Sequence, residues 1–235
     1  MTHSIWTSDY EVAHRATTRG FKLASLATNQ GDAVFKFQTP SDHLEACRID
    51  LRELGTRTEY YIRGADLVQR YQEDTQKLST EIYARVCEEE SSCELVLSRQ
   101  TDLLETHPEA NLRVDFPTAY SVALLEAEGP WSPPGLGAED HSERLPSQPA
   151  ALAVKVTDGS CFGVFVYPGD FSRFRAIRKG FEHVTLEIGI FPEPLEKGVI
   201  RRSRIQIAAI GPDEDKAALA EAYQRFVASA IPLTT

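Results

Sequence analysis

Polar and apolar residues alternate with a period of two through most of this chain. Successive side chains of a strand point to opposite faces, so this period predicts strands buried on one side. Phe21–Leu26 and Ala33–Phe37 flank the turn-forming cluster Asn29-Gln30-Gly31-Asp32 and read as a hairpin. Glu45–Leu54 and Arg57–Arg63 follow, parted by a turn at Gly55. Ser79–Cys87 and Cys93–Thr101 form a second hairpin, with Ile82, Ala84 and Val86 on one face of the first strand. Leu95, Leu97 and Arg99 share one face of the second. Tyr120–Ala127 adds a strand, and Ala151–Val156 with Cys161–Tyr167 surround Asp158-Gly159, a strong hairpin signal. Val184–Phe191 and Val199–Ile210 complete roughly eleven strands joined by short turns, which points to a two-sheet sandwich.

The alternation breaks in three places. Near the N-terminus, Ser8 or Asp9 is placed to cap a short helix through Arg15. Residues 128–149 hold five of the thirteen prolines and three glycines, so a loop without regular structure is expected there, with Trp131 either stapling it to the body, the commoner use of buried indole area, or facing a ligand. After Gly211-Pro212, Asp213 is placed to cap a helix over 213–230, whose apolar positions Leu219, Tyr223, Phe226 and Val227 recur at helical spacing. This helix is expected over an edge or mouth of the sheet.

One stretch is echoed. Tyr60–Tyr71 reads YYIRGADLVQRY and Val164–Phe174 reads VFVYPGDFSRF. Asp66 then corresponds to Asp170, Leu67 to Phe171, Arg70 to Arg173 and Tyr71 to Phe174. The echo suggests two related halves, 19–127 and 150–210, inside a single sandwich domain spanning 1–235.

A net charge of −10 argues against a general nucleic-acid binder and against attraction to anionic membrane surfaces. No apolar run approaches the roughly 18 residues of a membrane span, and no basic-then-apolar leader opens the chain. The four cysteines form no CxxC, which predicts a cytoplasmic protein with reduced thiols. Cys87 and Cys93 bracket an acidic turn and are candidates to face each other across it. No HxH, HExxH, GxSxG, P-loop or GxGxxG is present, so neither a metal nor a nucleotide cofactor is expected.

The remaining chemistry lies in charge. Arg63, Asp66 and Arg70 in the first echo, and Asp170 and Arg173 in the second, are candidates to hold sugar hydroxyls or a carboxylate by charge-assisted hydrogen bonds. The competing reading is structural: each Asp accepts backbone amides in its turn, and the Arg braces the next strand. Arg202 and Arg204 share one face of their strand, opposite Arg201, and form either a solvated face or an anion patch for a phosphate or uronate. Among the scattered histidines, His183 shares a face with Glu187, but four residues of extended strand separate them by about 13 Å, too far for direct pairing.

YYIRGADLVQRY and the later PLEKGVIRRSRIQIAAI resemble an uncharacterised bacterial protein family, and the many strands over residues 20–210 resemble the β-supersandwich of galactose-mutarotase-like proteins. The resemblance implies a mainly-β, twisted two-sheet sandwich with a C-terminal helix and a carbohydrate or other polar ligand on a sheet face. The His acid and Glu base of mutarotases match no position here, so no catalytic residue is carried over. A non-catalytic binding or structural module is the leading expectation. A carbohydrate-active epimerase, mutarotase or lyase is the alternative, and assembly through an open sheet edge is a third.

Overall fold

The computed structural model describes residues 7–9, 12–16, 22–27, 32–38, 45–63, 66–87, 91–117, 119–125, 141–144, 150–156, 159–180, 182–210 and 216–230. The first third of the chain is β1 (Thr7–Asp9), β2 (Val12–Ala16), β3 (Lys22–Ala27), β4 (Ala33–Gln38), β5 (Glu45–Leu51) and β6 (Thr56–Arg63). Next come β7 (Asp66–Glu73), β8 (Leu78–Cys87), β9 (Ser92–Thr101), β10 (Glu105–Thr106), β11 (Ala110–Phe116) and β12 (Ala119–Leu124). The rest is β13 (His141–Arg144), β14 (Ala151–Val156), β15 (Cys161–Val166), β16 (Phe171–Lys179), β17 (His183–Ile190), β18 (Leu195–Glu196), β19 (Arg201–Ile210) and helix α1 (Lys216–Ala228).

Two large antiparallel sheets form. One runs β1-β2-β3-β4-β5-β11-β17-β16-β13 and the other β12-β14-β15-β19-β9-β8-β7-β6, with β10-β18 as a separate small ribbon. Both large sheets draw strands from before and after residue 128, so the two stretches of sequence share one core. Alternation decides what enters it. Phe35, Phe37, Ile49, Val114, Leu186 and Ile188 face inward from the nine-stranded sheet. Leu67, Ile82, Leu95, Leu97, Val164 and Ile207 meet them from the eight-stranded sheet. Phe37 and Phe162 lock the two layers edge to face, with ring centroids 5.7 Å apart. Each such aromatic or aliphatic side chain contributes about 1.5–3 kcal/mol by leaving water.

The chain crosses between sheets after β5. Gly55 sits there at φ 86°, where a Cβ would collide with the Gln72 carbonyl, so only glycine passes. The second sheet then builds outward from hairpins at the expected places: β8 with β9 and β14 with β15.

Several expectations need correction. The segment near Ser8 and Asp9 forms the β1–β2 strand pair instead of a capped helix, because pairing with β3 extends the sheet through it. Residues 128–149 contain a strand, β13, which pairs with β16; Trp131 lies outside the described residues. The proposed helix cap Asp213 is also outside them. Helix α1 covers the outer face of the eight-stranded sheet, not an edge or mouth. Leu219, Tyr223 and Phe226 pack on Ala151, Ala153, Phe165 and Ala208. Small residues on that face make room for the helix; a Cβ on Gly163 would fall 2.9 Å from Leu219. The register opposes Cys87 to Ser92 and Cys93 to Val86, so the two thiols point to opposite faces and form no disulfide with each other. No described helix is long and apolar enough to cross a membrane.

Candidate functional site

Antiparallel pairing lines up residues far apart in sequence. On the outer face of the eight-stranded sheet, beyond the reach of α1, register sets Glu59, Arg70, Glu81, Ser98 and Arg202 side by side across five strands. Opposite charges directly across a sheet attract. Arg70 accordingly lies 2.6 Å from Glu59 Oε2 and donates its Nε hydrogen to Glu81. The bond to Glu81 raises the Arg70 pKa above its ordinary value despite some burial.

The next row is apolar: Tyr61, Val68, Tyr83 and Val96. Val68, Tyr83 and Val96 are buried there with Tyr61 packed against them, and arginine guanidinium groups lie over the two rings. The Arg63 guanidinium lies 5.5 Å from the Tyr83 ring centroid, and Arg70 lies 5.9 Å from Tyr61. Burial, followed by hydrogen bonding to Glu81, pushes the Tyr83 phenol up to about 12.

A cavity of about 440 Å³ opens over these rows. Ser79, Glu81, Ser98 and Gln100 supply polar groups to its lining, Arg63, Arg70 and Arg202 add cationic groups, and Ile200 adds an apolar one. Ser98 is 8% exposed, and its hydroxyl has no hydrogen-bond partner among the described residues. Arg99 also borders the cavity. Its guanidinium is buried and donates to Thr80 Oγ1 at 3.0 Å and to the Pro108 and Glu109 carbonyls, while burial lowers its pKa to about 10. Three arginines and a buried Arg99 against one lining carboxylate give this hollow a cationic character within an acidic protein.

The seven sequence candidates therefore divide. Arg63, Arg70 and Arg202 come together at the cavity. Arg202 also borders a neighbouring hollow of about 120 Å³, where it meets Asp170, Glu193 and Arg201. Asp66 lies outside both. It opens β7 and makes a two-pronged ion pair with Arg85 at 2.7 and 2.8 Å, while the turn before it, residues 64–65, lies outside the described residues. Asp170 does accept a backbone amide, but from β19: Oδ2 receives the Arg204 N–H at 3.3 Å. Burial pushes its pKa up to about 6. Arg173 lies on the other sheet and donates to Asn111 Oδ1 at 3.0 Å.

Arg204 departs furthest from expectation. It shares its face with Arg202, as alternation requires, yet it is 1% exposed. Helix α1 ends above it. The guanidinium donates to the Phe226, Ser229 and Ala230 carbonyls, lies 2.8 Å from Glu94 Oε1, and sits 4.5 Å from the Phe226 ring centroid. It satisfies the orphan carbonyls of a helix C-terminus and complements the negative end of the helix dipole.

Asp66 thus opens strand β7, whereas Asp170 sits in the bend between β15 and β16, and the two have different partners, so each charged turn stands by itself. Ser79, Glu81, Tyr83, Ser98, Gln100 and Ile200 were not among the candidates. Their signal was present: on β8 and β9 they hold the parity opposite to the core residues, while Ile200 precedes β19.

The nine-stranded sheet carries a second polar group on its outer face. His183 Nε2 lies 3.2 Å from Asp115 Oδ1, and Thr185 Oγ1 donates to the same oxygen at 2.6 Å. Arg113 grips the carboxylate from its own strand at 2.6 and 2.9 Å. Burial favours the neutral acid, but these hydrogen bonds outweigh it and hold Asp115 below its usual pKa. His183 therefore pairs across strands with a residue 68 positions away, not with Glu187.

No family model and no curated protein matches the sequence. Solved structures do match in shape. A protein described as a putative aldose 1-epimerase from Escherichia coli K12 superposes with a TM-score of 0.61 at 11% identity, over 85% of this chain and 98% of its own. A galactose mutarotase related enzyme from Lactobacillus acidophilus gives 0.57 at 8% identity, over 86% and 99%. A GH36 alpha-galactosidase from Geobacillus stearothermophilus, solved with stachyose, gives 0.59 at 15% identity over 92% of this chain, which spans 42% of that larger protein. At these identities the likeness concerns the fold. The chain has the mainly-β, two-sheet architecture of galactose-mutarotase-like proteins, with one C-terminal helix.

Proposed function

We propose that this protein is a carbohydrate-binding module whose ligand is an anionic sugar, held in the cavity bordered by Arg63, Arg70 and Arg202. The observation that carries the reading is the Ser98 hydroxyl: buried, without a hydrogen-bond partner among the described residues, and bordering a cationic hollow. A buried hydroxyl without a partner costs about 1–3 kcal/mol, which a ligand oxygen would recover. Arg63 makes no ion pair among the described residues, and it is stacked where its donors can meet a carboxylate or phosphate. The volume falls in the range of small-molecule sites, roughly 300–1,000 Å³. Fold relatives include sugar-acting proteins, one of them solved with stachyose, which supports carbohydrate as the ligand class. Glu81, the one carboxylate in the described lining, is tied to Arg70, which favours binding over proton transfer there. Four cysteines outside any disulfide and an acidic balance fit a cytoplasmic protein that binds a small polar molecule.

Titration calorimetry with glucuronate, galacturonate, glucose 6-phosphate and glucose tests this. One of the charged sugars binds, glucose binds at least tenfold more weakly, and Arg202→Glu or Ser98→Val removes the signal. Silence across all four, or binding indifferent to both substitutions, rules the reading out.

The Asp115–His183 pair favours a second reading, a sugar epimerase or mutarotase acting from the nine-stranded sheet. A carboxylate that fixes one imidazole nitrogen leaves the other placed to move a proton. Polarimetry on freshly dissolved galactose and glucose decides it. Acceleration that His183→Asn abolishes supports catalysis, and a rate equal to buffer removes it.

A further inference from the structure

We infer that the sugar taken by this cavity carries an apolar substituent, and that the substituent lies on a surface formed by Leu103, Leu104, Val199 and Ile200. This deepens the carbohydrate-binding reading and rests on it.

Four of the five exposed large hydrophobic residues in the described structure fall on two short segments. Leu103 and Leu104 link β9 to β10, while Val199 and Ile200 link β18 to β19. The segments are held together. The Lys197 N–H donates to the Leu104 carbonyl at 3.4 Å, β10 pairs with β18 on one side, and β9 pairs with β19 on the other. Leu104 is 86% exposed and Ile200 51%. A single exposed leucine needs no explanation, but a cluster brought together by pairing marks a binding surface.

The patch is continuous with the cavity. Ile200 lines the hollow, next in sequence but one to Arg202, and Gln100 lines it three residues before Leu103. A ligand whose anionic group reaches Arg202 and Arg63 therefore leaves the cavity across Ile200. The occupant that fits both ends is an anionic sugar with an aryl, alkyl or acyl group. A free uronate or hexose phosphate would leave the apolar end uncovered.

The test compares methyl β-glucuronide with 4-nitrophenyl β-glucuronide, which share the anionic sugar and differ in the apolar group. Calorimetry is run on the full chain and on the double variant Leu104→Ser, Val199→Ser, at two exposed positions outside the cavity lining. Circular dichroism melting confirms that the variant is folded. The aryl glycoside is expected to bind about tenfold tighter than the methyl glycoside to the native chain. In the variant the advantage shrinks to about twofold or less, with methyl glucuronide affinity unchanged. Equal affinities in the native chain, or an advantage that survives both substitutions, overturn the inference while leaving sugar binding standing. Absence of binding by either glycoside overturns the inference, while sugar binding itself stands or falls by calorimetry with the four sugars above.

Discussion

Arg204 and Arg202 show how two residues with the same parity acquire opposite roles. Both point outward from β19, but α1 ends over Arg204 and leaves Arg202 at the rim of two hollows. Replacing Arg204 by Met leaves Glu94 without its buried counter-charge and the last helix carbonyls without donors. We expect a loss of about 3–5 kcal/mol in urea unfolding. Arg202→Ala, at a half-buried position outside the helix clamp, should cost about 1 kcal/mol or less. If the two variants unfold alike, the helix clamp is wrong. Asp170 adds a pH signature. Its pKa is raised from 3.8 to about 6 in the folded protein, so folding favours its protonated form. The stabilisation is fully present below about pH 3.8 and is lost as pH rises through about 6. Asp170→Asn keeps an acceptor for the Arg204 amide but cannot ionise. Relative to the native chain it should gain of order 1 kcal/mol between pH 4 and pH 7, a figure discounted for partial solvent access. Parallel stability profiles for the two proteins across that range would exclude the shift.

At the level of elements, what could be read from the chain was whatever depended on neighbours in sequence. The β8–β9 and β14–β15 hairpins declare themselves because turn residues sit between alternating runs. The apolar stripe of α1 shows at helical spacing for the same reason, and it fixes which residues meet the sheet. What could not be read was what covers an element once formed. Nothing near Ser8 announces that β3 will draw the N-terminal segment into a sheet. Nothing in 128–149 announces that His141–Arg144 will find β16. The helix docking can be tested directly. Phe226 packs on Phe165 with centroids 6.2 Å apart and also covers Arg204. Phe226→Ala should cost about 3–5 kcal/mol, since it opens a cavity and uncovers the clamp together. Tyr223→Phe removes the phenol oxygen that accepts the Ala150 N–H at 3.3 Å and should cost about 1–3 kcal/mol for the buried amide left unpaired. A Phe226→Ala loss below about 1 kcal/mol would mean that α1 is only loosely seated.

Across the whole molecule, the candidate site exists because the topology stacks five strands whose residues span positions 59 to 202. Arg63, Arg70 and Arg202 were visible as charged residues, but that they converge was not, since it depends on registers between strands far apart in the chain. Ser98 was less visible still. A serine on an outward-facing strand position is ordinary until its neighbours bury it. The fold itself does not select a ligand, because the matching structures include proteins described as an epimerase, a mutarotase relative and part of a galactosidase. Charge is the feature that separates this cavity from a generic sugar cleft, and charge has a measurable consequence. A sugar at 100 times its dissociation constant stabilises the folded state by about 2.7 kcal/mol. For a chain of this length that corresponds to a rise in Tm of roughly 5–10 °C. If arginines supply much of the affinity, the rise for glucuronate at a fixed concentration should shrink as sodium chloride goes from 20 to 300 mM, because rim charges are screened over a few ångströms at the higher salt. A shift that is the same at both salts would mean that hydroxyl contacts, with Ser98 and Gln100 at their centre, do the binding and that the arginines only shape the walls.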